Sequence, residues 1–342
     1  MKNSYTLNLL SVCLLLLGSF FAKAQDIHYS QFNNSHVNLN PALTGVFNGD
    51  IRFESNFKPQ WNSVPVSYLQ FTTGLDARFF NKDKNGPLAA GFFLDYDQAG
   101  DSRLTYAQFS FTGSYSIRFD KSMRNYLTLG VAASAVQRSF NTYQLFFDEN
   151  FQNGAFCPNC PISEPFDKTK IVFGDVNVGI NLHLTAPFDR SSLDIGVGVF
   201  HLSEPTKTFF DNAEVKLERR YSVYANGNKV VNSHLDATFF GMGQLQGPSQ
   251  EILFGSGVRY FLVSRPTKVA ALDAGVYYRL KDAIIPYMGF HYNGWKITLS
   301  YDANLSQFRE ATLGFGGLEV SAIYIMTEVP FKSYCPHCPA FL

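Results

Sequence analysis

Apolar and polar side chains alternate along most of this chain. The pattern is clearest in residues 104–119, where each set occupies every second position. The apolar set comprises Ala107, Phe109, Phe111, Tyr115 and Ile117, and the polar set comprises Gln108, Ser110, Thr112, Ser114, Ser116 and Arg118. Because successive side chains of a β-strand point to opposite faces, this segment is predicted to be a strand with one apolar and one hydrated face.

The same alternation recurs and predicts about fourteen strands. The predicted strands are 51–57, 66–79, 88–97, 103–119, 126–138, 171–184, 193–200, 214–225, 229–240, 250–263, 269–280, 284–292, 295–302 and 317–327. Strands of soluble proteins usually have about five or six residues, whereas a tilted membrane-spanning strand needs about 9 to 11. Since many of these segments reach the longer length, the sequence predicts an all-β fold, a transmembrane antiparallel β-barrel of outer-membrane type.

The polar faces are rich in Ser, Thr, Asn, Asp and Arg, which suits a watery lumen. The residues expected to line it include Arg118, Asp175, Asn177, Arg259 and Asp273. The alternative fold is a large soluble β-sandwich or propeller, but no repeat of about 40 to 50 residues supports a propeller. A barrel is also the form in which a sheet can enter lipid, because a closed sheet leaves no strand edge unpaired.

Connections between the predicted strands alternate imperfectly between short and long. The longest, 139–170, is typical of an extracellular loop, and Asn293-Gly294 is a hairpin signal. An even strand count then puts both termini in the periplasm of a Gram-negative cell. Membrane lipid is thus an expected partner.

The first 24 residues resemble a secretory signal peptide. Lys2 supplies the positive charge, residues 7–21 the apolar stretch, and Ala22-Lys23-Ala24 a small-residue cleavage site. A membrane anchor is the alternative, but the apolar run is shorter than the roughly 20 residues of a spanning helix. We therefore divide the chain into a signal peptide (1–24), an N-terminal periplasmic segment (25–50), a barrel (51–328) and a periplasmic tail (329–342).

Charge and composition narrow the possible functions. The 342 residues include 28 basic and 28 acidic side chains, and charged residues make up only 16% of the chain. Nucleic-acid binding requires a clustered basic excess, so this balance argues against it. Nor does the chain contain a nucleophile elbow, a zinc-protease motif or a phosphate-binding loop, so we expect no enzyme activity, no cofactor and no metal.

A set of N-terminal motifs resembles the start of the PorP/SprF family of type IX secretion membrane proteins. The chain reads His28-Tyr29-Ser30-Gln31-Phe32, then Leu39-Asn40-Pro41-Ala42-Leu43-Thr44-Gly45, and later Arg52 and Lys58-Pro59-Gln60-Trp61. Weaker similarities follow in residues 95–100, 201–205, 277–279 and 300–302. The residues that carry the signature are Ser30, Gln31, Asn40, Pro41, Gly45, Gln60 and Trp61.

The resemblance implies an outer-membrane component of the type IX secretion system. Such a protein would support export or surface attachment of cargo with a C-terminal sorting domain, such as a gliding adhesin. Its partners would be the secretion machinery and that cargo. The alternative is an outer-membrane channel for diffusion or uptake of a small solute, and an outer-membrane lipase or protease is a third, weaker possibility.

The N-terminal motif also has a local interpretation. Proline fixes φ and favours an extended Asn40, and Gly45 permits a bend that other residues would strain. We expect the segment to pack into the periplasmic mouth of the barrel. A structural role as a plug is favoured over direct partner binding.

Four cysteines follow the signal peptide in two matched motifs. They are Cys157 and Cys160 in one C-P-N-C-P motif, and Cys335 and Cys338 in a C-P-H-C-P motif. Exported proteins usually hold cysteines as disulfides, which favours two local disulfides. A joined arrangement of the two pairs, or a metal or redox site, remains the alternative.

Overall fold

The computed structural model describes residues 26–60, 68–79, 86–119, 125–142, 145–152, 155–157, 168–187, 189–210, 215–265, 268–306 and 315–327. Within these residues, fourteen strands form one closed barrel. The barrel strands are β1 (Ile51–Gln60), β2 (Tyr68–Phe79), β3 (Leu88–Ala99), β4 (Leu104–Arg118), β5 (Tyr126–Ser139), β8 (Lys170–Thr185), β9 (Ser192–Phe200), β10 (Arg220–Val230), β11 (Leu235–Gln246), β12 (Ser249–Arg265), β13 (Lys268–Arg279), β14 (Ala283–Tyr292), β15 (Trp295–Asn304) and β16 (Phe315–Met326). The predicted signal peptide and C-terminal tail lie outside the described residues.

Every barrel strand pairs antiparallel with its neighbours along the chain, and the first strand pairs with the last. The β1–β16 register runs from Ile51 opposite Met326 to Gln60 opposite Gly317. Two further strands, β6 (Phe151–Gln152) and β7 (Ala155–Phe156), form a small separate hairpin. The predicted antiparallel barrel of about fourteen strands is therefore confirmed.

The two faces of the wall follow the predicted alternation. In β4, Phe111 is 63% exposed on the outside, whereas its neighbours Ser110 and Thr112 are buried inside. β1 shows the same alternation, with Phe53 and Phe57 outside. An apolar outer surface of this kind is what a barrel presents to lipid.

Two strands lie further along the chain than predicted. Strands expected at 214–225 and 229–240 occupy Arg220–Val230 and Leu235–Gln246. The sequence Asn226-Gly227-Asn228 has the local chemistry of a turn, but the structure continues β10 through it. A Cβ at Gly227 would overlap the Phe239 ring, so the glycine accommodates cross-strand packing rather than a turn.

The barrel has two distinguishable ends. We call the end where β1 begins and β16 finishes the terminal end, and the opposite end the distal end. The two longest connections, 140–169 and 201–219, are at the distal end, whereas the connections 231–234, 266–267 and 293–294 at the terminal end are short. Among the described residues, no helix has the length and apolar character needed to cross a membrane.

Residues 26–50, which we call the luminal plug, lie inside the barrel. They contain a short helix α1 (His36–Leu39) between two 3-10 turns, Phe32–Asn34 and Pro41–Leu43. The plug begins beside the distal ends of β9 and β11 and descends to the start of β1. This is deeper than the mouth-packed segment that we predicted.

The main hydrophobic core of the described molecule is the contact between the plug and the wall. Plug residues Phe32, Leu39, Leu43 and Val46 form one buried cluster with wall side chains, namely Tyr224, Met242, Leu253, Tyr277, Ala283, Ile285 and Tyr287. The expected watery lumen is therefore replaced here by packed protein. The reason is that several inward positions of β10–β14 carry large apolar or aromatic side chains, which pack against the plug.

Candidate functional site: the luminal plug

The distal anchor of the plug is an ionic cluster around Asp26. Its carboxylate lies 2.5 Å from His201 Nε2 and 3.3 Å from Arg220 Nε. The other ring nitrogen of His201, Nδ1, lies 2.7 Å from Asp175 Oδ2. Burial alone would lower the pKa of His201, but the carboxylates of Asp26 and Asp175 outweigh it and raise that pKa to about 9. The cluster therefore holds a charged histidine between two carboxylates.

Beneath this anchor, the plug joins strands on both sides of the β1–β16 seam. Glu319 of β16 accepts hydrogen bonds from the backbone N–H groups of Ser30 at 2.8 Å and Gln31 at 2.9 Å. The Ser30 hydroxyl donates to Asp302 of β15 at 2.7 Å. Lys58 of β1 lies 3.4 Å from Asp302 and 3.6 Å from Glu319. These four groups, with Gln31, form what we call the seam cluster, and all are buried.

Asn40 fixes the middle of the plug to the opposite wall. Its side-chain amide donates to the carbonyl oxygens of Ile180 at 2.9 Å and Val197 at 3.2 Å. Its side-chain oxygen accepts from the N–H of Ala42 at 2.8 Å, which caps the turn that Pro41 begins. Asparagine thus serves both as a turn cap and as a bridge to the wall.

Wall glycines make this close approach possible. A Cβ at Gly179 would come within 1.8 Å of the Asn40 side-chain oxygen, and one at Gly130 within 2.4 Å of the Ala42 backbone. Both distances are too short for a real contact. The absence of side chains at these inward positions creates the groove in which residues 40–42 lie.

The lower anchor combines a glycine in the left-handed region with a buried ion pair. Gly45 has φ of +76° and donates its N–H to Asp76 Oδ2 at 2.7 Å. Arg52 makes two bonds to the same carboxylate, at 2.9 and 2.8 Å, and a third to the Leu43 carbonyl at 3.1 Å. Close by, His36 Nδ1 lies 2.6 Å from Glu54. The first wall strand therefore holds the segment that immediately precedes it.

Two cavities flank the plug. A cavity of about 500 Å³ lies toward the distal end, where its lining includes Asp26, Asp97, Tyr106 and Arg138. A smaller one of about 140 Å³ lies toward the terminal end, where it contacts the plug at Asn33 and Asn34. The plug occupies the lumen between them.

Five of the seven predicted signature residues belong to the plug. Ser30 and Gln31 join the seam cluster, Asn40 and Pro41 form the middle anchor, and Gly45 forms the lower one. Gln60 is buried at the distal end of β1, away from these anchors, and beside the larger cavity. Trp61 lies outside the described residues.

Of the four cysteines, Cys157 falls within the described residues. It is disulfide-bonded, and it follows β7 in the connection at the distal end. Cys160, Cys335 and Cys338 lie outside the described residues, so the pairing of the cysteines stays a prediction.

The sequence predicted that charged side chains line the lumen, but it did not predict which residues they contact. The predicted lining residues Asp175 and Asn177 are buried and contact His201, and Arg259 pairs with Asp273. The missed contacts are those of the plug with its wall partners, which are Arg52, Glu54, Lys58, Asp76, Asp302 and Glu319. Three of these residues, Arg52, Lys58 and Asp302, stand in the motifs that carry the resemblance, but sequence reasoning gave them no contact with the plug. One signal was present, because β1 carries Arg52, Glu54 and Lys58 on one face, which is an unusual density of charge for a strand.

The described residues offer no obvious metal centre. Among them, no group of three His, Cys, Asp or Glu side chains converges in a way that could hold an ion. Asp26 and His36 of the plug are instead paired with side chains of the barrel. Their arrangement serves to fix a segment of chain within the lumen.

Among solved structures, this chain is similar to several bacterial proteins at low sequence identity. The toluene transporter TbuX of Ralstonia pickettii matches with 12% identity and a TM-score of 0.48, covering 85% of this chain and 92% of that one. A FadL homologue of Pseudomonas aeruginosa matches with 12% identity and a TM-score of 0.41, covering 83% and 92%. Similarity this low carries no information about function. No curated protein matches the sequence significantly.

A family model gives a more specific result. The model of the type IX secretion system membrane protein PorP/SprF matches residues 21–320, nearly the whole chain. The match includes the plug together with almost all of the barrel. The resemblance predicted from the N-terminal motifs is therefore confirmed, and the chain belongs to the PorP/SprF family of type IX secretion system membrane proteins.

Proposed function

We propose that this outer-membrane barrel supports export or surface attachment of a cargo protein by the type IX system, as a partner barrel whose lumen is closed. The cargo would carry a C-terminal sorting domain, and a gliding adhesin is one example. The proposal rests on membership of the family together with one structural observation, the plug anchored at four levels of the lumen. A barrel closed in this way is suited to binding other proteins.

The plug argues against the alternative, a channel for small solutes. To clear the lumen, the plug would have to separate from Asp76 and Glu319, both of which are fully buried. The two carboxylates would lose the hydrogen bonds that the backbone N–H groups of Gly45, Ser30 and Gln31 donate. A hydrogen bond to a charged group contributes about 1.5–3 kcal/mol, and the seam cluster and the lower anchor would both lose theirs. Spontaneous opening would therefore be rare.

For the orientation, we infer that the terminal end faces the periplasm. The support is the placement of the two longest connections, 140–169 and 201–219, at the distal end, since outer-membrane barrels have long extracellular loops and short periplasmic turns. In this orientation the secretion machinery would meet the terminal end. The cargo at the cell surface would meet the distal end and its long loops.

Deletion of the gene tests the proposal directly. Surface proteins of the deletion strain, the parent and a complemented strain would be compared by mass spectrometry after mild proteolytic shaving. We expect one or more proteins with a C-terminal sorting domain to disappear from the surface and to return on complementation. An unchanged surface proteome would contradict the proposal.

Conductance in planar bilayers separates the two functions. We expect the wild-type barrel to be silent, whereas a variant that lacks residues 27–45 and retains the signal peptide should conduct ions. Steady conductance by the wild-type protein would favour the solute channel instead.

A further inference from the structure

The smaller cavity is lined by a lysine that forms no ion pair with any of the described residues. This cavity of about 140 Å³ lies beside the plug near the first residues of β9 and β15. Lys296 lines it and donates to the side-chain oxygen of Asn34 at 2.6 Å. Among the described residues, no carboxylate oxygen lies within ion-pairing distance of the Lys296 ammonium group. An ammonium group has three N–H donors, so one neutral acceptor leaves it incompletely satisfied.

The nearby carboxylates are committed to other groups. Asp273 accepts two bonds from Arg259, at 2.8 and 2.9 Å, and lies 2.7 Å from His291 Nε2. On the other side, Asp194 lies 2.8 Å from His183 and accepts from Asn181 at 3.0 Å. Neither carboxylate provides the missing counter-ion.

A second, independent observation points into the same cavity. Thr298 lies two residues after Lys296 on the inward face of β15, lines the cavity and is only 3% exposed. Its hydroxyl has no hydrogen-bond partner among the described residues. The side-chain oxygen of Asn226, in the same lining, is likewise unpartnered, and rotation of that amide would present N–H donors. Buried polar groups in proteins are normally paired.

We propose that Lys296 and Thr298 form a binding site for a single carboxylate group. The ammonium and the hydroxyl would donate to the carboxylate oxygens, as in charge-assisted pairs elsewhere. The fixed carboxylates of Asp194 and Asp273 disfavour a doubly charged ligand such as phosphate, since like charges repel at short range. The site therefore matches a singly charged anion.

The size and position of the cavity point to an acidic side chain of a polypeptide. Its volume admits a carboxymethyl or carboxyethyl group rather than a folded domain, and Lys296 lies close to the rim of the terminal end. Because Lys296 also bonds to Asn34 of the plug, a bound carboxylate would contact the plug through one shared side chain. A partner docked at the terminal end would thus engage the plug directly.

The test uses the purified full-length barrel in detergent with ¹³C-acetate as the probe. Binding would be followed by broadening of the acetate NMR line at constant ionic strength. We expect Lys296→Gln to weaken acetate binding roughly 10- to 100-fold, the value of one charge-assisted hydrogen bond, and Thr298→Val by about 2- to 10-fold. Lys268→Gln is the matched control, since Lys268 is exposed and begins the β13 strand at the same end.

Competition identifies the source of the carboxylate. The capped peptide acetyl-Gly-Glu-Gly-amide should displace acetate, whereas acetyl-Gly-Gln-Gly-amide, which has no carboxylate, should not. If the capped glutamate peptide fails while acetate binds, the polypeptide source is overturned and a free carboxylate is the ligand. The site itself is overturned if acetate does not bind the wild type, or if Lys268→Gln weakens binding as much as Lys296→Gln does.

Discussion

Gly45 of the plug donates its backbone N–H to the Asp76 carboxylate of β2 across 2.7 Å. The contact requires φ of +76° at Gly45, a conformation that residues with a side chain rarely adopt. A Cβ there would also lie 2.3 Å from the Cβ of Ala89. One position thus meets both a backbone and a packing requirement.

We expect Gly45→Ala to destabilise the folded barrel by about 2–5 kcal/mol, because backbone strain and overpacking both act. Urea unfolding of the detergent-solubilised protein, followed by loss of the compact band in unheated gels, would measure it. Gly243→Ala is the control, since nothing lies within 4 Å of a Cβ there. An equal effect at both positions would show that the plug does not require Gly45.

The Arg52–Asp76 pair gives a second prediction. Both side chains are buried, and two hydrogen bonds join them. We expect Arg52→Gln or Asp76→Asn alone to cost about 3–5 kcal/mol, because each leaves a buried charge without the ion partner to which it is hydrogen-bonded. In the same assay, the double variant should lose clearly less unfolding free energy than the two single variants lose together. Strict additivity would mean that the two groups do not interact in the folded protein.

The distal anchor should respond to pH. The folded-state pKa of His201 is raised to about 9. Its contribution to the stability of the folded protein is therefore fully present below the unfolded pKa of about 6.5 and is lost as pH rises through about 9. Burial raises the pKa of Asp26, but His201 and Arg220 outweigh it and lower that pKa. The contribution of Asp26 to the stability of the folded protein is therefore present above the usual aspartate pKa of about 3.9 and is lost as pH falls further.

We expect the melting temperatures of wild type and His201→Gln to differ most between about pH 4 and 6.5 and to converge above about pH 9. The largest difference in stability should be at most about 3 kcal/mol. His234→Gln, in an exposed turn at the terminal end, is the control and should follow the wild type throughout. A difference that grows with alkalinity would contradict the assignment.

The cysteines give a prediction that concerns pairing. We expect digestion of the unreduced protein to yield one peptide closed by Cys157 and Cys160, and another closed by Cys335 and Cys338. Mass spectrometry before and after reduction would identify both. Cys157→Ser should lower the unfolding free energy by at most about 2 kcal/mol, since a closed loop of about four residues restrains little of the unfolded chain. A peptide that links the loop to the tail would contradict local pairing.

The barrel wall could be predicted from the sequence because the alternation of side chains in a strand is a local property. Lipid on the outside requires apolar side chains at every second position. Phe109 and Phe111 could therefore be assigned to the outer face without knowing their neighbours in space. The prediction placed β10 and β11 too early in the chain. Asn226-Gly227-Asn228 has the composition of a local turn, but the cross-strand contact of Gly227 with Phe239 keeps this segment within β10.

The plug could be only partly predicted because its contacts span great distances along the chain. Asn40 and Gly45 were identified from their own conformational preferences. The wall residues that the plug contacts were not identified. Ser30 and Glu319, for example, are separated by 289 positions. No periodicity in a single sequence records such a pairing.

The seam cluster has a consequence for how this protein is built. Lys58 of the first strand pairs with Glu319 of the last, and Glu319 also accepts two backbone N–H groups from the plug. If the ring closed while empty, Glu319 would line the lumen without either donor, and the plug would have to thread into a closed wall to restore both hydrogen bonds. Biogenesis should therefore favour an order in which the N-terminal segment is inserted before the final edge is sealed, so that the wall closes around its own leading residues.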